Sequence, residues 1–135
     1  MFLPDSRAQT ALRALYRGEA PPVPDFELGL STTVPDLSAD GAGYVNITEP
    51  TAPSYARVPV APSEFTVTDR YAEAQVQWPD TVDDLGDILA WVLFDATSGV
   101  ATDAGRGDDG DAMPLPAGTS NITITVRIDA PESDY

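Results

Sequence analysis

Residues 121–129 read NITITVRID, and no other stretch of the chain restricts the fold so tightly. Ile122, Ile124, Val126 and Ile128 alternate with Thr123, Thr125 and Arg127. Successive side chains of an extended strand point to opposite faces, so this alternation predicts a strand with one buried and one solvated face. An apolar strand face must be covered by a second layer. The chain is therefore expected to build β-layers, and the rest of the sequence is read against that requirement.

Several other segments supply strands. FELGLST (26–32) sets Phe26, Leu28 and Leu30 on one face. YARVPV (55–60) alternates imperfectly, and Pro59 points to a sheet edge. EFTVT (64–68) and YAEAQVQW (71–78) predict two strands around an Asp69-Arg70 turn, with Tyr71, Ala74, Val76 and Trp78 covering most of one side of the second. ILAWVLFD (88–95) is the most apolar segment and predicts a strand buried on both faces. YVNI (44–47) is either a short strand or part of the loop VPDLSADGAG (34–43) before it. PDTVDDLGD (79–87) reads as an acidic loop, and residues 96–118 read mostly as loop with a short strand around Val100. DSRAQTALRALYR (5–17) is the one expected helix, with Ala8, Leu12, Leu15 and Tyr16 on one stripe and Gly18 at its end. The prolines of EAPPVPD forbid its continuation. The expected fold is mainly β, a β-sandwich or jelly roll with one short N-terminal α-helix. Residues 1–20 form the helical segment, a candidate docking element, and residues 21–135 one sandwich domain.

Charge bounds the partners. The chain carries 22 acids against 7 bases, a formal net charge of −15. Every base is Arg, Lys is absent, and 16 of the acids are Asp. Such a chain repels itself in ordinary buffer, whereas in molar salt the Debye length falls to about 3 Å and the repulsion is screened. Two explanations fit: adaptation to a saline interior or brine, or a GC-rich genome favouring Arg together with an acidic surface. Both argue against nucleic-acid binding, which needs a basic face. No apolar run approaches the roughly 20 residues of a membrane span. The start, MFLPDSRAQT, lacks the basic head and apolar core of a secretory signal, so if the protein works outside a cell it is expected to leave by another route, such as release of assembled particles at lysis.

The usual catalytic toolkits each lack a member. There is no Cys and no His, which removes thiol chemistry, the commonest general base and the commonest transition-metal ligand. Nucleophilic Ser or Thr has neither His nor Lys as a base. No phosphate-cradling glycine motif occurs. DAGRGDDGD (103–111) is the most tempting site, because Asp103, Asp108, Asp109 and Asp111 offer oxygen ligands of the kind Ca²⁺ takes. It lacks the closing Glu and flanking helices of an EF-hand, and a solvated hairpin tip is the plainer expectation. Its Arg106-Gly107-Asp108 tripeptide is too short to argue receptor binding. Asp80, Asp83, Asp84 and Asp87 could in form supply a glycosidase acid and base, but neighbouring acids are expected in so Asp-rich a chain. Trp78, Trp91 and Tyr44 are the candidate sugar platforms of a monomeric carbohydrate-binding module, although the two Trp stand in strand patterns that suit a core. Asn46-Ile47-Thr48 and Asn121-Ile122-Thr123 have the form of glycosylation acceptors and read here as strand sequence. Arg57 points away from the face of Ala56 and Val58, toward a carboxylate of its own fold or of a neighbouring subunit.

Two segments, ITEPTAPSYARVPV (47–60) and LFDATSG (93–99), carry a resemblance that spans roughly residues 8 to 129. With the order of the strands around them, they resemble small tail-fibre-like structural proteins of tailed viruses and prophages. In that family a Glu-(small/Pro) turn precedes Tyr-Ala-Arg, and a Phe-Asp-Ala turn closes on Gly. The matching positions here are Glu49, Pro50, Tyr55, Ala56 and Arg57, then Phe94, Asp95 and Gly99. Glu49-Pro50 and Pro53 are expected to fix a turn that leads Tyr55 into a strand. The acidic loops at 79–87 and 100–115 depart from the pattern. The resemblance implies a non-enzymatic virion protein, without cofactor, assembling as a symmetric homo-oligomer on the particle exterior. Its implied partners are its own copies, other virion proteins and, for a fibre, a host surface glycan. With the lysine-free acidic composition, the host implied is halophilic and archaeal.

Overall fold

In the computed structural model, which describes residues 25–68, 70–106 and 112–129, eleven strands carry the fold. The expected helix at 5–17 lies outside the described residues, as do Asp69, Asp108, Asp109 and Asp111.

The larger sheet is antiparallel throughout, in the order β4-β1-β8-β9: β1 (Phe26–Ser31), β4 (Val58–Val60), β8 (Ala90–Asp95) and β9 (Ala101–Arg106). A three-stranded antiparallel sheet has the order β11-β6-β5: β5 (Thr66–Val67), β6 (Tyr71–Trp78) and β11 (Ile122–Asp129). Two small antiparallel pairs complete the set. One joins β2 (Asp36–Leu37) to β3 (Tyr44–Val45), the other β7 (Asp87–Ile88) to β10 (Met113–Pro114).

The alternation of each strand decides what is buried. Phe26, Leu28 and Leu30 of β1, Trp91 and Leu93 of β8, and Val60 of β4 share one apolar cluster with Ala74, Val76 and Trp78 of β6 and Ile122, Ile124 and Val126 of β11. On the other face of β8, Val92 and Phe94 pack with Ala101 and Ala104, and Tyr44 and Ile47 cover them. Strand β8 is thus buried on both faces, as its unbroken apolar run requires.

Five expectations need correction. Tyr71 belongs to the opposite face of β6 from Ala74, Val76 and Trp78, because its position in the strand is odd where theirs are even; the guanidinium of Arg127 lies 3.8 Å from its ring centre. The strand expected at 55–60 begins only at Val58, and that expected at 64–68 shrinks to Thr66–Val67 behind a 3₁₀ turn at Pro62–Glu64. The loop at 34–43 contains β2, because the Asp40 carboxylate accepts the Ser38 hydroxyl at 2.6 Å and the Ala42 N–H at 3.1 Å and so folds a hairpin onto β3. The loop expected at 96–118 contains the six-residue β9 and the two residues of β10. Ala, Asp and Gly, which supply four of the six residues of β9, are depleted in strands, and pairing with β8 overrides that preference.

Gly105 shows how β8 and β9 fit. It pairs with Trp91, and a Cβ at this position would overlap the indole ring. Gly105→Ala is expected to lower unfolding free energy by about 1–3 kcal/mol, the usual cost of overpacking a core, measured by denaturant unfolding at constant high salt. An unchanged midpoint would show that Trp91 is not held in this register.

Candidate functional site

Four residues of the resemblance, Glu49, Tyr55, Arg57 and Phe94, come together beside β1. Strand β4 pairs only with Phe26, Glu27 and Leu28. Beyond Leu28 the edge would be bare, yet every non-proline residue brings a backbone donor that needs a partner when buried. Here side chains and an irregular segment replace the strand. The Tyr55 hydroxyl accepts the Leu30 N–H at 3.0 Å. The Thr32 N–H donates to the Thr48 carbonyl at 2.8 Å. The buried Ser31 hydroxyl accepts the Thr48 N–H at 3.1 Å and donates to the Thr33 carbonyl at 2.8 Å.

Glu49 follows Thr48 and completes the arrangement. Its Oε1 accepts the Tyr55 hydroxyl at 2.7 Å and Arg57 Nε at 2.9 Å, and its Oε2 accepts the second Arg57 nitrogen at 3.0 Å. Such a two-pronged guanidinium–carboxylate pair is stronger and more directional than a single contact. Arg57 also lies 3.7 Å from Glu27 and places its guanidinium 3.6 Å from the ring centre of Phe94. The carboxylate it selects is therefore one of its own fold. Tyr55 stacks on Trp78 with ring centres 6.2 Å apart. Its position comes from a turn in which the Tyr55 N–H reaches the Ala52 carbonyl at 3.0 Å, with Pro53 at the position that favours its fixed φ. Tyr55 thus serves the strand edge through its hydroxyl rather than as a strand residue, and this is why β4 starts late. Pro50 is half-buried in the connection and Ala56 is exposed.

Gly29 makes room for the cluster. A Cβ there would lie 2.8 Å from Phe94 Cε2, 3.0 Å from Glu49 Oε1 and 3.1 Å from the Tyr55 hydroxyl. Gly29, Ser31 and Thr48 were not singled out from sequence. The available signal was a glycine inside a strand pattern, which marks close approach of another group.

The electrostatics are those of a closed structural unit. Hydrogen bonding from Arg57, assisted by Tyr55 and opposed by burial, holds the Glu49 carboxyl below the usual range. Burial and the Glu49 charge push the Tyr55 phenol well above its ordinary value. Neither group titrates near neutrality. The carboxylate is occupied by three donors and has little capacity left for proton transfer.

The second motif is a turn. Asp95 ends β8, its Oδ1 accepts the Thr97 and Ser98 N–H groups at 2.8 and 3.1 Å, and Gly99 closes the turn at φ 76°.

The other candidates separate. Asp103 is fully buried in β9 opposite Leu93, with the Thr102 hydroxyl donating to it at 2.9 Å. It is not part of a solvated tip, so the proposed four-Asp calcium loop loses this member. Among the described residues, no three acidic side chains group as a metal site. Asp83 accepts the Ser54 N–H at 3.1 Å, Asp84 accepts the Gly86 N–H at 2.8 Å, and Asp87 belongs to β7. Asp80 is exposed. The loop that holds these acids is anchored by two buried residues, Thr81 and Leu85, tied to the Leu115–Thr119 segment. Trp78 and Trp91, each 4% exposed, are core residues and offer no face to a sugar. Tyr44 is half-buried beside an open groove with Ile47, Phe94 and Val100. Burial, and then the charge of Asp103, raise the Tyr44 phenol pKa. A cleft of about 260 Å³ lies between Tyr55, Arg57 and Pro59 on one side and Trp78, Pro79 and Leu85 on the other. Both acceptor-type asparagines take positive φ, and Asn46 donates to Asp36 at 2.7 Å.

The chain matches no protein-family model and no curated protein.

Two outcomes test the cluster. Tyr55→Phe keeps the ring on Trp78 but leaves the Leu30 N–H and one Glu49 bond unmet. It should cost about 1–3 kcal/mol, the penalty for stranding a buried polar group, by denaturant unfolding; no loss would remove the capping role. For Glu49, the folded state favours the charged form, so its contribution is present above the ordinary glutamate value and is lost as pH falls through the lower folded value. Wild type should therefore lose stability relative to Glu49→Gln as pH falls below about 4.5. The difference between the two curves cancels the relief of repulsion among the other acids. Parallel curves would contradict the assignment.

Proposed function

We propose that the protein is a non-enzymatic structural component of a tailed-virus particle from a halophilic host, assembling as a homo-oligomer on the particle exterior. The observation that carries this reading is the meeting of Glu49, Tyr55 and Phe94 over Gly29, with Arg57 bound to Glu49 and lying on the Phe94 ring. These are residues of the two segments that resemble tail-fibre-like proteins, and they are engaged with one another in holding a sheet edge. A motif used to set architecture suits a building block better than a catalyst. The shared apolar cluster of the two larger sheets supports a β-sandwich as the finer description of the fold. The net charge of −15 supports a saline setting, where copies can approach one another.

Light scattering on purified protein tests the proposal at roughly 3 M and roughly 0.15 M salt, where screening differs most. A discrete oligomer at high salt that dissociates or unfolds at low salt is expected. A stable monomer at both would overturn both the assembly and the halophilic setting.

A further inference from the structure

The cleft of about 260 Å³ between β4 and the end of β6 holds a donor that the fold does not use. Trp78 lines this cleft and is 4% exposed. No hydrogen bond among the described residues takes its indole N–H, and that group is not sealed from solvent. One face of the ring lies on Tyr55, and the small part of Trp78 left open carries the donor. A nearly buried donor without a partner is costly, and a ligand that brings an acceptor restores the missing bond.

The other polar side chains decide what kind of acceptor fits. The Tyr55 hydroxyl serves Leu30 and Glu49, Arg57 is held by Glu49, and the Thr81 hydroxyl donates to the Pro116 carbonyl at 2.6 Å. Ser54 and Asp80 stand exposed at the rim. Pro59, Pro79, Val82 and Leu85 make apolar wall, and Val82 is left 77% exposed although Thr81 and Leu85 anchor its loop. The cleft therefore suits an apolar group that brings an acceptor and no donor. A sugar ring brings many hydroxyls, which such walls would leave unpaired. A prolyl segment fits, because its rings are apolar, its carbonyls accept, and proline has no N–H to bury. The volume lies below the roughly 300–1,000 Å³ of sites for drug-sized ligands, which suits a short stretch of chain.

The sequence carries such a stretch. EAPPVPD (19–25) contains Pro21, Pro22 and Pro24 and ends at Asp25, whose carbonyl accepts the Ala96 N–H at 2.9 Å. Residues 19–24 lie outside the described residues. Phe26 stands opposite Val60 and Leu28 opposite Val58, so the chain enters β1 from the Val60 end. Val58 and Pro59, which line the cleft, lie in the other direction. Prolines favour a stiff, extended backbone, which resists a turn back to the cleft of the same copy. We infer that residues 19–24 of a second copy enter this cleft, with a carbonyl of the segment accepting the Trp78 N–H. The inference rests on the homo-oligomeric reading above and names its contact.

Light scattering and hydrogen exchange of the Trp78 indole, both on the whole chain at high salt, test the contact; Trp78→Phe assigns the indole signal. The indole N–H should exchange slowly in the oligomer and at least tenfold faster on dilution to monomer. Pro21→Ser, Pro22→Ser and Pro24→Ser together, or Val82→Arg alone at the cleft wall, should weaken association at least tenfold with an unchanged near-ultraviolet dichroism spectrum. Arg at position 82 also lowers the net negative charge, so relief of repulsion alone would act the other way. Rapid indole exchange in a sample that scatters as an oligomer, or variants that assemble like the wild type, would overturn the contact and leave the homo-oligomer standing. Protection that persists in a monomer would also overturn it: in favour of the same copy's segment where the proline changes abolish it, and in favour of simple burial where they do not. A monomer at every concentration with a freely exchanging indole would overturn contact and assembly together. Should Val82→Arg not fold, the proline variant and the wild-type exchange decide.

Discussion

Strand β1 outruns its neighbour. It is six residues long, and β4 covers only three of them. A central strand with half of one edge unpaired cannot be buried without stranding donors. Much of the larger sheet follows from how that deficit is met. Tyr55 supplies a hydroxyl, Thr48 a carbonyl and Ser31 a local bridge. Glu49 orients the hydroxyl, and Arg57 holds Glu49. Gly29 is glycine because Glu49, the Tyr55 hydroxyl and Phe94 occupy the space of its side chain. The two apolar clusters on either side of β8 then rest on a sheet whose edge is closed.

The legible parts of the fold were those where one face is buried and the pattern is strict. The bounds of β6 and the inward set of β11 follow from alternation alone. The double burial of β8 follows from an unbroken apolar run. Strand β9 was hidden because Ala101, Asp103, Ala104 and Gly105 are of types depleted in strands and Thr102 stands alone among them as a strand former. Their placement depends on Trp91 and Leu93, which are close in space and some ten residues away in sequence. Asp103 looked like a loop ligand for the same reason.

The candidate site was half legible. Glu49, Tyr55, Arg57 and Phe94 were named for their resemblance, and the turn at Asp95–Gly99 for its chemistry. That Glu49, Tyr55 and Phe94 meet over one glycine, with Arg57 bound to Glu49, depends on the pairing of β1 with β8, which no local pattern reveals. By its pattern Tyr55 opens a strand, whereas its phenol replaces one. Sequence patterns describe which way a side chain faces; they do not describe a side chain standing in for backbone.

These features give the acidic chain a rigid scaffold in which one of its few cations is committed to internal contacts. The central claim is that Glu49 and Arg57 act as one structural unit. A double-mutant cycle of Glu49→Gln and Arg57→Met, read by denaturant unfolding at high salt, measures this most directly. The account predicts a coupling of at least about 1 kcal/mol, within the 0.5–3 kcal/mol found for residues in one network. Additive losses, with no coupling, would contradict it and reduce the pair to a surface contact.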